Sequence, residues 1–312
     1  MPSALEVQHL RKNYGGTTVV DDLSFTVEAG EIFGLIGPNG AGKTTAIECA
    51  TGVRTPDAGH VRVLGTDPHA LPQAVRRRVG LQLQESGLPK RLTVAEAIEL
   101  FASFYPSAAP QEEWLERWGL AKHHATAYAD LSGGQKQRLG LALALVHDPD
   151  LVVLDEMFAG LDPRARMESQ QRVRSICEQG TTVVLVTHFM DEAEALCDRV
   201  ALLDEGRCVA LGPPNALTNR LGASVRVRFT APDGFDPETL MGLDRVASVR
   251  QNHAQVAVYG HDPLLSAVTK VLDERGRRPS DLRAEPTSLE DVFLRETGTA
   301  LAPALTGETT GF

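Results

Sequence analysis

Cysteine, positive charge and long apolar runs are all scarce in this sequence, and each shortage argues against a class of protein. Its 312 residues include four cysteines without CxxC or CxxH spacing, which argues against a disulfide scaffold or a Cys/His metal site. No uncharged apolar run approaches the roughly 20 residues that a membrane-spanning helix needs. The charged stretch Met1–Tyr14 predicts no signal peptide. We therefore expect a reduced, cytosolic chain whose membrane component, if it has one, is supplied by another protein.

Basic residues are also too few for a protein that coats nucleic acid. Lysine and arginine number 31 against 41 aspartates and glutamates, a formal net charge of −10. Because phosphate neutralisation needs clustered basic side chains, no nucleic-acid partner is expected, although a local basic groove stays compatible with this balance. The 42% hydrophobic and 23% charged content is typical of an ordinary globular protein.

The hydrophobic pattern predicts an α/β domain over residues 1–217. Two alternating segments near the N-terminus predict half-buried strands, and the short apolar run Ile32–Ile36 predicts a strand before a glycine-rich loop. Two fully apolar runs, Leu151–Leu154 and Thr182–Val186, favour parallel strands buried on both faces. Helical spacing dominates residues 93–147, and helices between the buried strands complete the α/β pattern.

A change of character after Pro213 and Pro214 predicts a second domain. Residues 218–298 combine strictly alternating segments with two stretches of helical spacing, which predicts a small α+β accessory domain. Residues 299–312 are rich in Ala, Thr and Gly without any periodicity, and we expect them to form a disordered tail.

A glycine-rich stretch matches the phosphate-binding loop GxxxxGK[ST]. Its residues are Gly37, Pro38, Asn39, Gly40, Ala41, Gly42, Lys43 and Thr44, followed by Thr45. The stretch lies after an apolar strand and before a helix, so backbone N–H groups can converge on phosphate oxygens. Lys43 is expected to bridge the β- and γ-phosphates of a nucleotide, and the Thr44 hydroxyl to bind Mg²⁺. This context disfavours the alternative of an ordinary glycine turn.

Two acidic residues, Asp155 and Glu156, directly follow the apolar run that ends at Leu154. Asp155 is expected to hold Mg²⁺ through water, and Glu156 is placed to polarise the attacking water. Two acids after a strand are by themselves a common strand end. Their combination with the phosphate loop favours a phosphoryl-transfer site, which needs positioning and charge neutralisation.

The stretch Leu131–Gln135, with the sequence LSGGQ, resembles the signature of ABC ATPases. Other residues resemble further elements of that family in the same order. Tyr14 matches the adenine-stacking aromatic, Gln84 the Q-loop glutamine, Asp162 the D-loop aspartate and His188 the switch histidine. Each of these alone has a plain alternative, such as a turn aromatic, a loop before a helix or a core histidine. Together they cover residues 5–211, and the chain is identified as a member of the family.

The resemblance implies a P-loop NTPase fold with a RecA-like core, an antiparallel β subdomain and an α-helical subdomain. It also implies catalytic roles for Lys43, Gln84, Glu156 and His188, and metal binding by Thr44, Gln84 and Asp155. Ser132, Gly133, Gly134, Gln135 and Asp162 would contact ATP held by a second copy. The implied assembly is a homodimer or heterodimer that encloses two MgATP and drives a separate polytopic permease from the cytoplasmic side of the cell membrane.

Some positions depart from the pattern of the family. Met157 and Phe158 follow Glu156 where proline and a small hydroxyl residue are frequent, and we expect an altered rate rather than lost activity. His123 and His124 are adjacent, but without a third ligand nearby a solvated turn is the favoured interpretation.

The closing segment 286–298 is similar to the end of ATPases of the daunorubicin-resistance-type bacterial exporters. This implies efflux of drugs or other small hydrophobic compounds. Passive stabilisation of the dimer is the alternative role for this domain. Other open readings are a non-transport ABC ATPase that acts on ribosomes or DNA, and the ATPase of an importer.

Overall fold

The computed structural model describes residues 3–70, 72–83, 87–105, 110–232, 234–274 and 279–298. These residues form two compact units, which divide between Leu211 and Gly212. The predicted Q-loop residue Gln84 and the predicted tail 299–312 lie outside the described residues. Within the described ranges, no helix is long and apolar enough to cross a membrane.

The first unit contains nine strands and seven α-helices in its described part. The strands are β1 (Ser3–Tyr14), β2 (Thr17–Glu28), β3 (Ile32–Ile36), β4 (Ala58–Val63), β5 (Val79–Gln82), β6 (Leu151–Asp155), β7 (Thr182–Thr187), β8 (Arg199–Asp204) and β9 (Arg207–Gly212). The helices are α1 (Lys43–Ala50), α2 (Pro72–Arg76), α3 (Val94–Ala102), α4 (Gln111–Arg117), α5 (Gly133–Leu145), α6 (Pro163–Glu178) and α7 (Met190–Leu196).

A six-stranded sheet in the order β5-β6-β7-β3-β8-β9 is the centre of this unit. Neighbouring strands from β5 to β8 pair in parallel. Every residue of β6 and β7 is buried, which confirms the prediction that these two runs are parallel strands covered on both faces, and every residue of β3 is buried as well. In such a sheet the carboxyl ends of the strands share one edge, where ligands usually bind.

A second, antiparallel sheet in the order β2-β1-β4 packs against the same core. Gly15 and Gly16 turn the β1–β2 hairpin with positive φ angles of 53° and 87°. The stacked rings of Phe25 and Phe33, with centroids 5.4 Å apart, contribute one side chain from each sheet. Helices α3, α4 and α5 form the predicted helical region. The first unit thus has the predicted three parts: an α/β core, an antiparallel β subdomain and a helical subdomain.

The second unit contains four strands and four helices in its described part: α8 (Pro214–Asn219), β10 (Val225–Thr230), α9 (Glu238–Met241), β11 (Val246–Asn252), β12 (Gln255–Gly260), α10 (Leu264–Glu274), β13 (Arg283–Pro286) and α11 (Leu289–Thr297). Its sheet has the order β11-β12-β10-β13, with every pair antiparallel. The succession β-α-β-β-α-β from β10 to β13 is that of ferredoxin-like domains. Buried apolar residues of β10, β12 and α10 form its core.

A buried ionic cluster in the second unit includes one residue of α11. Asp291 has a fully buried side chain, and its Oδ1 accepts hydrogen bonds from the Arg226 guanidinium and, at 2.9 Å, from the Tyr259 hydroxyl. Its Oδ2 accepts the backbone N–H of Ser288 at 2.9 Å. Arg226 also binds Glu285 at 2.8 Å. Both oxygens of the buried carboxylate are therefore satisfied, and α11 is fastened to β10 and β12.

Candidate nucleotide-binding and hydrolysis site

The phosphate loop connects β3 to α1 and is held tightly by its neighbours. A Cβ atom on Gly37 would lie 2.2 Å from the Leu203 carbonyl oxygen, and one on Gly42 would lie 2.5 Å from the Val19 carbonyl oxygen. Gly42 also has a φ of 91°, which L-residues with side chains rarely adopt. Glycine is thus required at both positions for the backbone of the loop to fit between β2 and β8.

Helix α1 begins at Lys43 without help from a capping side chain. Its N-cap is Gly42, and no side-chain hydrogen bond caps the first turn. The first N–H groups of a helix have no partner within the helix, and their dipoles favour an anion. The arrangement therefore suits a phosphate group at the mouth of the loop, where Asn39, Gly40 and Thr44 are exposed.

The Lys43 ammonium is buried inside this loop. Its Nζ donates hydrogen bonds to the carbonyl oxygens of Gly37 at 2.8 Å and Pro38 at 3.0 Å. An ammonium has three donors, so one remains for a phosphate oxygen. Burial lowers the pKa of Lys43, while the charges of Glu156 and Asp155 raise it. The nearby carboxylates thus favour the charged form that phosphate binding requires.

Asp155 ends β6 and is a strongly perturbed carboxyl group. Its pKa is raised to about 6, first by burial and then by the charge of Glu156, whereas Lys43 lowers it. Its Oδ1 is buried without a hydrogen-bond partner among the described residues. A buried carboxylate oxygen without a partner is costly unless a ligand satisfies it. A hydrated Mg²⁺ fits this oxygen, since hard cations prefer carboxylate and hydroxyl ligands.

The structure brings the predicted base and the predicted switch histidine into contact. His188 Nδ1 lies 2.8 Å from the Glu156 carboxylate. Glu156 follows β6 and His188 follows β7, two adjacent parallel strands, and the Glu156 N–H donates to the Val186 carbonyl at 2.8 Å. Glu156 has a φ of 51°, in the left-handed region that is strained for a non-glycine residue. Such strained residues cluster at functional sites.

The predicted signature residues form the N-terminus of α5. The Ser132 hydroxyl accepts the Gln135 N–H at 3.4 Å, and Gln135 Oε1 accepts the Ser132 N–H at 2.8 Å, a capping box. Gln135 Nε2 also lies 3.0 Å from His123 Nε2. Ser132 and Gly133 are exposed. No hydrogen bond found among the described residues joins this cap to the phosphate loop of the same chain.

Asp162 and Tyr14 also lie at exposed positions. Asp162 is the N-cap of α6, and its Oδ1 accepts the Ala165 N–H at 2.9 Å. Tyr14 ends β1 and is 39% exposed. Lys12 Nζ and Arg54 Cζ lie 5.6 Å and 5.2 Å from its ring centroid, a cation–π arrangement that the sequence did not indicate.

Met157 and Phe158, the two departures after Glu156, are buried. Both side chains are core residues at the end of β6, beside the site rather than in it. The described residues contain no group of three or more His, Cys, Asp or Glu side chains that could hold a metal ion. His123 belongs to a short 3-10 turn that hydrogen-bonds Gln135.

Three residues next to the site were missed by the sequence analysis. Thr187, Arg166 and Glu192 surround the turn that carries His188, and burial raises the pKa of Glu192 to about 7. Glu192 lies in an acidic stretch typical of a helix surface, yet it is 1% exposed. Only the packing of α6 against β7 and α7 reveals this environment, so no sequence signal marks it.

Comparison with known proteins adds the context of a family. The family model for ABC transporters matches residues 20–159. The chain is similar to the Nod factor export ATP-binding protein I of Mesorhizobium japonicum, with 39% identity over 301 residues, 95% of this chain and 87% of that protein. The protein of the same name from Rhizobium johnstonii is 39% identical over 305 residues, 95% of this chain and 96% of that one.

Solved structures match a smaller part of the chain. An ATP-binding subunit of an ABC transporter has a TM-score of 0.65 and 31% identity, and covers 70% of this chain and 93% of its own. For cbiO1 of Clostridium perfringens, part of the ABC transporter complex cbiONQ, the TM-score is 0.61 and the identity 26%, and the match covers 68% of this chain and 89% of that one. For a dimeric ATP-binding cassette bound to ADP and Pi, the TM-score is 0.61 and the identity 25%, and the match covers 67% of this chain and 98% of that one.

Proposed function

Because the chain belongs to the ATP-binding subunits of ABC transporters, which bind and hydrolyse ATP, we propose that it drives a separate polytopic permease of an exporter. One observation carries this proposal. Relatives named as export proteins align with 95% of the chain, whereas the solved cassettes cover only 67–70% of it. The relatives thus share the chain beyond the catalytic cassette, which supports an export-type subunit on the cytoplasmic side of the membrane.

The phosphate loop binds the nucleotide in this proposal. Backbone N–H groups of residues 37–45 and the remaining donor of Lys43 hold the phosphates, while Tyr14 stacks on adenine. Thr44 and Asp155 would hold Mg²⁺, with Gln84 as a further ligand. The cation supplies charge neutralisation at the γ-phosphate. Asp155 is suited to this role because its unpartnered Oδ1 lies at the same edge of the sheet as the loop.

Glu156 and His188 carry out the chemical step in this proposal. The Glu156 carboxylate accepts a hydrogen bond from the attacking water and orients it toward the γ-phosphate. His188, 2.8 Å from that carboxylate, fixes its rotamer and contacts the γ-phosphate with the rest of its ring. Such positioning of a nucleophile is the main contribution that a protein makes to phosphoryl transfer.

The second copy in the dimer completes each site. Ser132, Gly133, Gly134, Gln135 and Asp162 would reach the ATP of the partner. The exposure of Ser132, Gly133 and Asp162, and the cap that holds Ser132 and Gln135 in place, support this role. Support also comes from the solved dimeric cassette in a post-hydrolysis state. The site is then built by two chains, either two copies of this one or one copy and a paralogue.

The helical region offers a docking surface for the permease. A cavity of about 250 Å³ is lined by α3, α5 and β5, including Phe101, Tyr105 and His147. Leu100 and Phe104 are 44% and 65% exposed on or next to α3. Large exposed apolar side chains beside a cavity suit a short cytoplasmic segment of a membrane protein. We propose drugs or other small hydrophobic compounds as cargo, with the Nod factor of the named relatives as the competing cargo class.

The Glu156→Gln variant tests the proposal. It should bind MgATP, hydrolyse it about a thousandfold more slowly and accumulate as an ATP-held dimer, because loss of a positioned base typically removes 10²–10⁴-fold. We would express the tagged variant in its native host, solubilise the membranes in detergent with MgATP and identify the proteins that co-purify.

A co-purifying polytopic membrane protein supports the transport proposal, and near-normal turnover would contradict the role of Glu156. Ribosomal or DNA-associated proteins without a membrane partner would overturn the transport role and leave the ATPase chemistry intact. Glu168→Gln is a matched control, since the Glu168 side chain is 56% exposed and pairs with the nearby Arg164.

A further inference from the structure

The turn that carries His188 is tied to a buried carboxylate on the following helix. The Thr187 hydroxyl donates to Glu192 Oε2 at 2.9 Å and accepts the N–H of Phe189 at 3.0 Å. One hydroxyl therefore holds the backbone on both sides of His188. Thr187 and Glu192 are each 1% exposed, so water does not compete for these hydrogen bonds.

The other oxygen of this carboxylate faces an arginine from a different helix. Arg166 Nε on α6 lies 3.7 Å from Glu192 Oε1, beyond hydrogen-bond distance. Within the described part of the chain, both atoms are buried and have no hydrogen-bond partner. The same guanidinium lies 3.6 Å from Asp191 Oδ2 and 5.6 Å from the ring centroid of Phe189. Arg166 thus contacts the helix and the turn that together hold His188.

Arg166 is also rigidly connected to Asp162. Its N–H donates to the Asp162 carbonyl at 2.9 Å in the first turn of α6, and the Asp162 side chain caps that turn. A displacement of the exposed N-terminus of α6 would therefore move the guanidinium relative to Glu192. A contact of 3.7 Å needs only a small movement to become a hydrogen bond or to break.

We propose that Glu192 and Arg166 are positioning residues for ATP hydrolysis. They hold His188 against Glu156 and connect that contact to α6, whose N-cap is Asp162. This inference rests on the proposed roles of Glu156 and His188. Unpartnered buried polar atoms reduce stability, so a pair that served the fold alone would be expected at bonding distance. Arg166 Nε and Glu192 Oε1, which lie just beyond hydrogen-bond distance, are suited to a contact that forms during the cycle of ATP binding and hydrolysis.

The Glu192→Gln variant removes the charge and keeps the shape of the side chain. Its turnover should fall about tenfold, the size of one lost charged hydrogen bond, while ATP affinity changes less than about twofold. Thr187→Val removes the hydroxyl without altering the buried carboxylate, and should lower turnover by a similar factor. This second variant keeps the test valid if Glu192→Gln folds poorly.

Asp191→Asn is the matched control. Asp191 contacts the same guanidinium, but its side chain is 72% exposed and makes no hydrogen bond to Thr187. Its variant should keep turnover within about twofold of the wild type, as exposed pairs contribute little. In addition, the double variant Arg166→Gln with Glu192→Gln should be no slower than the worse single variant, because residues that act as a unit are not additive.

Three outcomes would overturn the inference: unchanged turnover in Glu192→Gln and Thr187→Val, an equal loss in Asp191→Asn, or a loss of turnover matched by lost ATP affinity and a lower melting temperature. Glu156→Gln and His188→Ala are measured in parallel. If these two lose turnover and Glu192→Gln does not, only the positioning role fails. If these two keep turnover, the proposed site itself is wrong.

Discussion

The two units of the chain bury charged groups in opposite ways. In the first unit, Asp155 and Glu192 have raised pKa values, and each has a carboxylate oxygen without a hydrogen-bond partner in the described structure. In the second unit, both oxygens of Asp291 accept hydrogen bonds, and Arg226 pairs with two carboxylates, although its buried Nε has no hydrogen-bond partner among the described residues. Both units bury charge, and they differ in whether the oxygens of the buried carboxylate have hydrogen-bond partners.

This difference distinguishes buried charged groups that can bind a ligand from buried charged groups that stabilise the fold. An unpartnered buried carboxylate reduces stability unless something binds it, so Asp155 is expected to cost stability and to give function. A buried carboxylate whose two oxygens both accept hydrogen bonds, as in Asp291, has little left to offer a ligand. The Asp291 cluster accordingly attaches α11 to the rest of the second unit. Substitutions of Asp155 and of Asp291 test the two kinds of buried carboxylate separately.

Asp155→Asn should give the largest effect, with opposite signs for activity and stability. Turnover should fall about 10²–10³-fold, since a metal contributes several kcal/mol of charge stabilisation. At pH 8 without nucleotide, the variant should be more stable by about 2–3 kcal/mol, because the buried carboxylate of the wild type is then ionised. Phosphate release and urea unfolding followed by the fluorescence of Trp114 and Trp118, both in the first unit, measure the two effects.

The pKa of Asp155 determines how its effect on the free energy of unfolding changes with pH. The pKa of Asp155 is about 6 in the folded chain against an ordinary 3.8, so between these values the folded state keeps a proton that the unfolded state has lost. The free energy of unfolding contributed by this group therefore falls as pH rises through that window, and stays low above about pH 6. Asp155→Asn should show a smaller fall, because the raised pKa of Glu192 still contributes one, whereas the control Asp150→Asn, on a half-exposed side chain, should retain the full fall.

Asp291→Asn breaks the satisfied cluster and should act on stability alone. Removing one partner of a buried pair typically costs about 3–5 kcal/mol, and we expect faster amide hydrogen exchange in β10 and β12. ATP turnover should stay within about twofold of the wild type. Asp281→Asn, on a partly exposed side chain that accepts hydrogen bonds from the backbone N–H and the hydroxyl of Thr230, is the control for a carboxylate outside the buried cluster. An equal effect of both variants would mean that the cluster has no special role.

Tyr14→Ala concerns neither buried group and should give the smallest effect. Loss of one aromatic–base stack is worth about 1–3 kcal/mol, so the Kd for ATP should rise about tenfold. Tyr14→Phe keeps the ring and should remain within about twofold, with turnover at saturating ATP unchanged in both. Fluorescent-nucleotide titration measures these constants. A weaker affinity in Tyr14→Phe than in Tyr14→Ala would exclude stacking as the role of the ring.

The sequence could predict most of the fold of the first unit because its strands either alternate between polar and apolar residues or are mostly apolar, and clear turns separate them. It could predict Lys43, Asp155 and Glu156 because each lies at a fixed place relative to a buried strand. Glu192 and Arg166 could not be found, since their environment is created by helices distant in sequence. Strand β13 was also missed: it has four residues, ends in Pro286 and lies at the edge of its sheet.

The closing segment of the second unit has a consequence for how such chains are classified. Four of its residues, Leu289, Asp291, Val292 and Phe293, are buried. Packing inside the second unit therefore accounts for these residue types without contact with a transported compound. A resemblance carried by this segment is a resemblance of architecture and gives no information about cargo.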